Sequence, residues 1–252
     1  MIIYGDYHTH TQYSHGKGTI LDNATVAAKK GLKQIAITDH GFGHGSFGVK
    51  RRDIEQVKED IFLAKEVTGV DILLGVEANI LSLDGTIDVR EEDYDFLDII
   101  IMGHHKFVNA KTVRDSILFF YGNVLANHFP ASQARINRNT TAFLKSLDKY
   151  PIDAITHIGE GVPVDKMAIA KLAKQKGTYI ELNAKHMTIG DETLGEMAAE
   201  GIKFIINSDE HHPDNVGEVN NALNSCLRVG VPASQIVNLD KFPKFQRLRR
   251  KD

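Results

Sequence analysis

The chain has 252 residues, 42% of them hydrophobic and 25% charged, enough to bury a substantial core. A formal net charge of -3 gives no bulk attraction to nucleic acid or to an anionic membrane, so any phosphate recognition has to come from a local cluster. Cys226 is the single cysteine, which excludes an intramolecular disulfide and a thiolate zinc site and leaves histidine and carboxylate as candidate metal ligands.

The first ten residues contain no basic region followed by an apolar stretch. No run approaches the roughly 18 apolar residues of a membrane span, so the default expectation is a cytoplasmic protein. Apolar, β-branched runs bounded by Gly, Asp or His then recur at 1–8 (MIIYGDYH), 34–40 (QIAITDH), 71–79 (DILLGVEAN), 97–105 (LDIIIMGHH), 153–159 (DAITHIG), 178–184 (TYIELNA) and 203–211 (KFIINSDEH). Continuous rather than alternating apolar character marks strands covered on both faces, as in a parallel sheet. Between them, Leu21, Ala24 and Ala28, then Ile54, Val57, Ile61 and Ala64, then Val164, Ala168 and Leu172 repeat at three and four and predict helices with one buried face. Gly31, Gly177 and Gly201 each follow a helical pattern and precede a strand, where a left-handed cap is easiest without a Cβ.

Strand, helix, glycine, strand is a unit of right-handed crossovers and predicts a parallel α/β sheet, open or closed into a barrel. Residues 107–149 are longer than one helix needs and predict two helices broken near NHFPAS, where Pro130 disfavours helix at Phe129 and Ser132 can cap the next segment. No Pro/Ser-rich linker divides the chain, which predicts a single domain over 1–252. The last ~10 residues, within KFPKFQRLRRKD, read as a solvated basic tail rather than a nucleic-acid arm.

The metal-type residues fall at the C-terminal ends of these strands: His8 and His10, His40, Glu77, His104 and His105, His157, and Asp209 with His211. In a β/α barrel those ends converge on one face, where catalytic groups lie. His8 and His10 are two apart on a strand, so they share a face, and Asp6 one step deeper is expected to orient one of them as a hydrogen-bond acceptor. A lone buried histidine is more often a satisfied core residue than a ligand, but a clustering at nearly every strand end calls for a common explanation. Imidazole and carboxylate without sulfur suit Zn, Mn or Fe, and the set is larger than one tetrahedral ion can use, so two or three ions are implied, with Glu77 a suitable bridge.

DYHTHTQYSHG, AITDHG, GVEAN, GHH, THIG and NSDEH, in this order, resemble the successive motifs of the PHP (polymerase and histidinol phosphatase) family, most closely its stand-alone bacterial phosphatases. The resemblance implies a distorted (β/α)7 TIM-like barrel with a trinuclear centre. His8, His10, Glu77 and Asp209 would hold one metal, Glu77, His105 and His157 a second, and His15, His40 and His211 a third. His105 rather than His104 is taken from the GHH pair, since adjacent strand residues face opposite ways.

The implied activity is a metal-dependent phosphoesterase in which water activated at the metals held by His8, His10, Glu77 and Asp209 attacks a small phosphomonoester, histidinol phosphate being one candidate. Arg135 and Arg138 are the candidate phosphate clamp, with Lys17, Lys185 and His186 as further candidates. His44, in a glycine-rich loop, reads as solvent-exposed, and His128 and His212 match no ligand position.

Two alternatives use similar chemistry. A nuclease or phosphodiesterase needs the same centre. An amidohydrolase-type C–N or C–O hydrolase also begins with H-x-H, but would be expected to carry a bridging lysine on the fourth strand, which here ends in His-His.

Overall fold

All seven apolar runs form strands, β3 over its full run and the other six shorter than theirs: β1 (Gly5–Thr9), β2 (Gln34–Ile37), β3 (Asp71–Asn79), β4 (Ile99–Gly103), β5 (Ala154–Ile155), β6 (Tyr179–Asn183) and β7 (Phe204–Asn207). The computed structural model describes residues 2–126 and 130–246. The strands pair in parallel in sequential order, and β1 meets the end of β7 through a parallel bridge between Thr9 and Glu210, with His10 N donating to Glu210 O at 2.9 Å. The result is the distorted seven-stranded α/β barrel expected from the motifs.

Helices α1 (Ile20–Lys29), α2 (Ile54–Thr68), α3 (Val113–Asp115), α4 (Gly122–Ala126), α5 (Gln133–Lys149), α6 (Lys166–Lys176), α7 (Asp191–Ala199) and α8 (Asn220–Val229) pack outside. On α2 the expected stripe, Ile54, Val57, Ile61 and Ala64, is the buried one. On α1 the buried face is Ile20, Ala24 and Ala27, and Leu21 is exposed; on α6 it is centred on Ile169, Ala170 and Ala173, with Leu172, and Val164 just before the helix, packed against the core but only partly buried. Both corrections are about one residue of phase. A three-four repeat fits two adjacent faces of a short helix, and docking on the sheet chooses between them. Gly31, Gly177 and Gly201 take the expected left-handed conformation, with φ of 78°, 75° and 71°.

Between β4 and β5, helical chain from Val113 to Ala126 includes a π-turn over Ser116–Tyr121, and α5 starts behind Ser132, whose side chain accepts from Arg135 N. The expected break at Phe129 lies outside the described residues, as does His128.

Two cores result. An outer one lies between sheet and helices, and an inner one fills the barrel with Tyr7, Ala36, Leu73, Ile99, Ile101, Ala154, Tyr179 and Ile205. The floor of the inner core is Val237 and Phe245, the latter 1% exposed and edge-on to Tyr7 at 5.0 Å. Gln246 N donates to Asp153 Oδ1 at 2.6 Å and Tyr179 OH to Lys244 O at 2.9 Å. The C-terminal stretch up to Gln246 is therefore a plug rather than a solvated tail, because the apolar side chain between its cations is long enough to close the barrel. Residues 247–252 lie outside the described residues.

Among the described residues, no helix is long and apolar enough to cross a membrane.

Candidate metal centre

The inner core sets which side chains reach the mouth. Since Leu73 faces in, strand alternation turns Glu77 in as well; from Ile101 the same count reaches His105, from Tyr179 it reaches Glu181, and from Ile205 it reaches Asp209. His104, out of phase, packs against Phe119 and Phe120 with ring centroids 4.9 and 5.5 Å away. Gly103 is required at the step before it, because a Cβ there would stand 2.8 Å from His157 Cε1.

On β1 simple alternation fails. Tyr7 faces the inner core, yet the next residue, His8, also faces the interior, because the β1–β2 register shifts between Asp6 and Thr9. Asp6 is thereby turned to the β7 side, where it accepts from Ser208 Oγ at 2.5 Å and Gly217 N at 2.9 Å. The expectation that Asp6 orients a histidine ring is corrected: its contact with His8 is to the backbone N–H, at 3.4 Å. Glu181 takes that place, 2.8 Å from His8 Nδ1, while its other oxygen accepts from His157 N at 2.9 Å.

Glu77, with no exposed surface, is the hub. Its Oε1 is 3.2 Å from His8 Nε2, 3.1 Å from His105 Nε2 and 2.8 Å from His157 Nε2; its Oε2 is 2.8 Å from His40 Nδ1 and 3.7 Å from His10 Nε2. Asp209 Oδ1 lies 3.5 Å from His8 Nε2 and 3.3 Å from His10 Nε2. His15 joins from the first loop, its ring centroid 4.8 Å from that of His40 and 4.2 Å from that of His211. That loop is tied down by buried Asp39, which accepts from Thr11 N at 2.7 Å and Ser14 Oγ at 2.5 Å.

All nine residues named from the sequence as candidate ligands thus meet at one mouth. Ligand-type atoms within 4.8 Å of one another form three sets, His8/His10/Asp209, His40/Glu77/His105 and His10/His40/His211. Two of the nine, His10 and His40, stand in two sets each.

The residues fit metal ions. Ligand atoms on a tetrahedral ion with bonds of about 2.0–2.1 Å stand about 3.3–3.4 Å apart, close to the separations within the His8, His10, Glu77 and Asp209 group. His8 Nε2, His10 Nδ1 and Nε2, His40 Nδ1, Glu77 Oε2 and His105 Nε2 are buried near one another but make no hydrogen bond of acceptable angle, an expensive arrangement unless something else satisfies them. The other ring nitrogens of two of these histidines are already engaged: His105 Nδ1 with Asn79 Oδ1 at 2.7 Å and His8 Nδ1 with Glu181. Such partners hold an imidazole in one orientation and tautomer.

Charge states divide the set: His10 and His105 are pushed down, whereas His8 and His157, despite burial, are pushed up by the carboxylates around them, so an ion has to displace a proton there. Burial pushes His10 well below the usual imidazole range and His105 to about 4, so both are neutral, as ligands must be. Burial would raise the carboxyls of Glu77 and Asp209, but the imidazoles around them, His105 and His8 for Glu77 and His8 and His10 for Asp209, hold both well below their ordinary values. Burial would also lower His8, and the carboxylates of Glu181, Glu77 and Asp209 raise it well above its usual range. Two backbones are held in the left-handed region, His157 at φ 24° and Asp209 at φ 56°, strain of the kind that collects at functional sites.

The mouth opens into a cavity of about 320 Å³. Among the residues lining it, neither Arg135 nor Arg138 appears; Arg138 Nη2 instead donates to Leu118 O at 2.9 Å and faces a separate cleft with Thr112 and Lys145. Neither arginine is therefore among the side chains that wall the mouth. Lys17 does not line the mouth either, although its backbone N–H donates to His211 O at 2.8 Å. Lys185 and His186 do, Lys185 Nζ standing 2.8 Å from His211 Nδ1, and the structure adds Lys106 and Glu160, which sequence reasoning missed.

His44 also lines the mouth and is 5% exposed, not a solvated loop residue; Gly43 N donates to Asp88 Oδ2 at 2.8 Å and folds the loop inward. His212 is half exposed at 49% of its side chain and stays outside. Glu181 was missed as well, and its signal was a carboxylate inside the apolar run TYIELNA.

The chain is 29% identical over 260 residues to a probable phosphatase of Caldanaerobacter subterraneus subsp. tengcongensis, covering 98% of this chain and 92% of the relative. It is 30% identical over 254 residues to a probable phosphatase of Thermoanaerobacter sp., covering 93% and 90%. The histidinol phosphate phosphatase of Lactococcus lactis, solved with zinc, L-histidinol and phosphate, shares the fold at 13% identity with a TM-score of 0.61 and 98% coverage of both chains. The PHP domain model matches residues 6–185, and with the strand-end motifs meeting at one mouth this chain belongs to the PHP domain family.

Proposed function

We propose that the protein is a metal-dependent phosphomonoesterase whose nine clustered ligands, His8, His10, His15, His40, Glu77, His105, His157, Asp209 and His211, hold two or three Zn, Mn or Fe ions. The observation that carries the reading is the set of buried nitrogen and oxygen atoms, without hydrogen bonds of acceptable angle, converging around Glu77. When bound, such ions offset phosphate charge and make water acidic enough to supply a nucleophile near neutral pH. Glu77, with both oxygens facing imidazoles, would be a ligand to more than one of them, and Glu181 and Asn79 hold the rings of His8 and His105. Lys185 and Lys106 supply positive charge at the rim for phosphate oxygens, in the role first given to Arg135 and Arg138.

The resemblance to probable phosphatases along nearly the whole chain supports a small phosphorylated substrate, and the Lactococcus lactis enzyme, solved with L-histidinol and phosphate, makes histidinol phosphate the natural first candidate.

The test is metal analysis coupled to a phosphate-ester panel. Two to three ions per chain are expected, with phosphate release that chelation abolishes and metal restores. A metal-replete protein inert on every monoester would sink the reading, and mononucleotide release from an oligonucleotide would move it to the nuclease alternative. The division into three sites is tested by His15→Ala, since His15 belongs to the outer edge of the cluster. One ion is expected to leave while the others stay; a wholly empty centre would show that the division is wrong.

A further inference from the structure

Beside the metal mouth lies a second cavity, of about 140 Å³. His104, Lys106 and Phe107 line both, so the two adjoin across a shared wall. The second is walled mainly by apolar side chains, Val108, Phe120, Tyr121 and Val124. Phe120 is buried there because the π-turn of Ser116–Tyr121 carries an extra residue per turn and brings both Phe119 and Phe120 inward around the His104 ring. Such turns recur at functional sites.

Three features suggest an occupant. An apolar cavity of about 150 Å³ takes up a benzene-sized molecule, so the volume fits one ring. Phe107, Tyr121 and Val124 leave apolar surface exposed at 75%, 66% and 39% at the rim, which an occupant would cover. His104, 6% exposed, stands in the wall of this cavity, and its buried Nε2 makes no hydrogen bond of acceptable angle among the described residues.

We propose that this cavity receives the ring-sized, largely apolar body of the alcohol whose phosphate sits at the metal mouth, which makes phosphomonoesters of aromatic alcohols the preferred substrate class. The inference rests on the phosphatase reading for its phosphate end and on the cavity alone for its alcohol end.

The test compares 2-phenylethyl phosphate with ethyl phosphate, primary esters whose leaving alcohols are close in acidity, on the metal-loaded full-length protein. We expect kcat/KM to favour the phenyl ester by tenfold or more, and the preference to fall towards one in Val124→Trp, which fills the cavity from its exposed side. The same change at Leu63, exposed on α2 away from the mouth, should keep the preference. Ligand-observed NMR of 2-phenylethanol reads the cavity separately, with binding expected in the parent protein and lost in Val124→Trp. If no ester is turned over but 2-phenylethanol binds in this way, the cavity assignment stands and the phosphatase reading falls. If esters are turned over without preference, or with a preference that Val124→Trp leaves intact, the cavity assignment is overturned and the phosphatase reading stands.

Discussion

Glu77→Ala is expected to carry at most one tightly held ion per chain, and to hydrolyse phosphate esters at least about a thousandfold more slowly, about 4 kcal/mol of barrier. The reason is geometric. Five imidazoles, those of His8, His10, His40, His105 and His157, approach its two oxygens within 3.7 Å, so in the proposed centre its loss would remove a ligand from more than one ion and leave the rings facing one another. Glu77→Gln should fail similarly, because the volume is kept but the negative charge that balances the ions is not. Metal content by mass spectrometry and phosphate release are the measurements. A Glu77→Ala protein with its full complement of ions would show that the carboxylate is not shared.

The second large effect is expected at Glu181, which meets no ion in the proposed centre. It is 1% exposed and accepts from His157 N and from the side-chain amides of Asn183 and Asn207, at 3.0 and 2.9 Å, besides pairing with His8 Nδ1. Glu181→Ala should weaken metal affinity by about 10–100-fold through the freed His8 ring. It should also destabilise the fold by about 3–5 kcal/mol, the usual cost of breaking a buried pair from one side. Competition with a chelator measures the first and denaturant unfolding the second. Glu181→Gln keeps one oxygen acceptor and the side-chain volume, so it should recover part of the stability while affinity stays below that of the parent. Unchanged affinity in both variants would remove Glu181 from the centre.

Why Glu181 escaped the sequence reading, and Asp6 was preferred to it, has a physical answer. Asp6 is two residues from His8 and strand alternation places it on the same face; Glu181 is 173 residues away and is brought into contact by barrel closure. A register shift in one strand reversed the local rule, and a shift of that kind leaves no mark in residue spacing. Arg135 and Arg138 were misplaced for a related reason. Position in the chain put them after the fourth strand, but the direction of α5 depends on packing against its neighbours. Phe245 shows the opposite failure, a residue hidden among cations whose burial follows from an open barrel floor.

The sequence by itself determined the seven strands, the glycine-capped helix ends, the parallel α/β sheet and the gathering of metal-type residues at the strand ends. These depend on patterns local to each segment: apolar runs, a cap, a period of two. Only the tertiary structure decided which face of α1 and α6 is buried, that Glu181 rather than Asp6 steadies His8, that Lys185 and Lys106 rather than the arginines reach the mouth, and that an apolar cavity adjoins it. Each of these turns on ångström-scale distances between strands and loops far apart in the chain, and closure of the barrel sets those distances where residue spacing cannot.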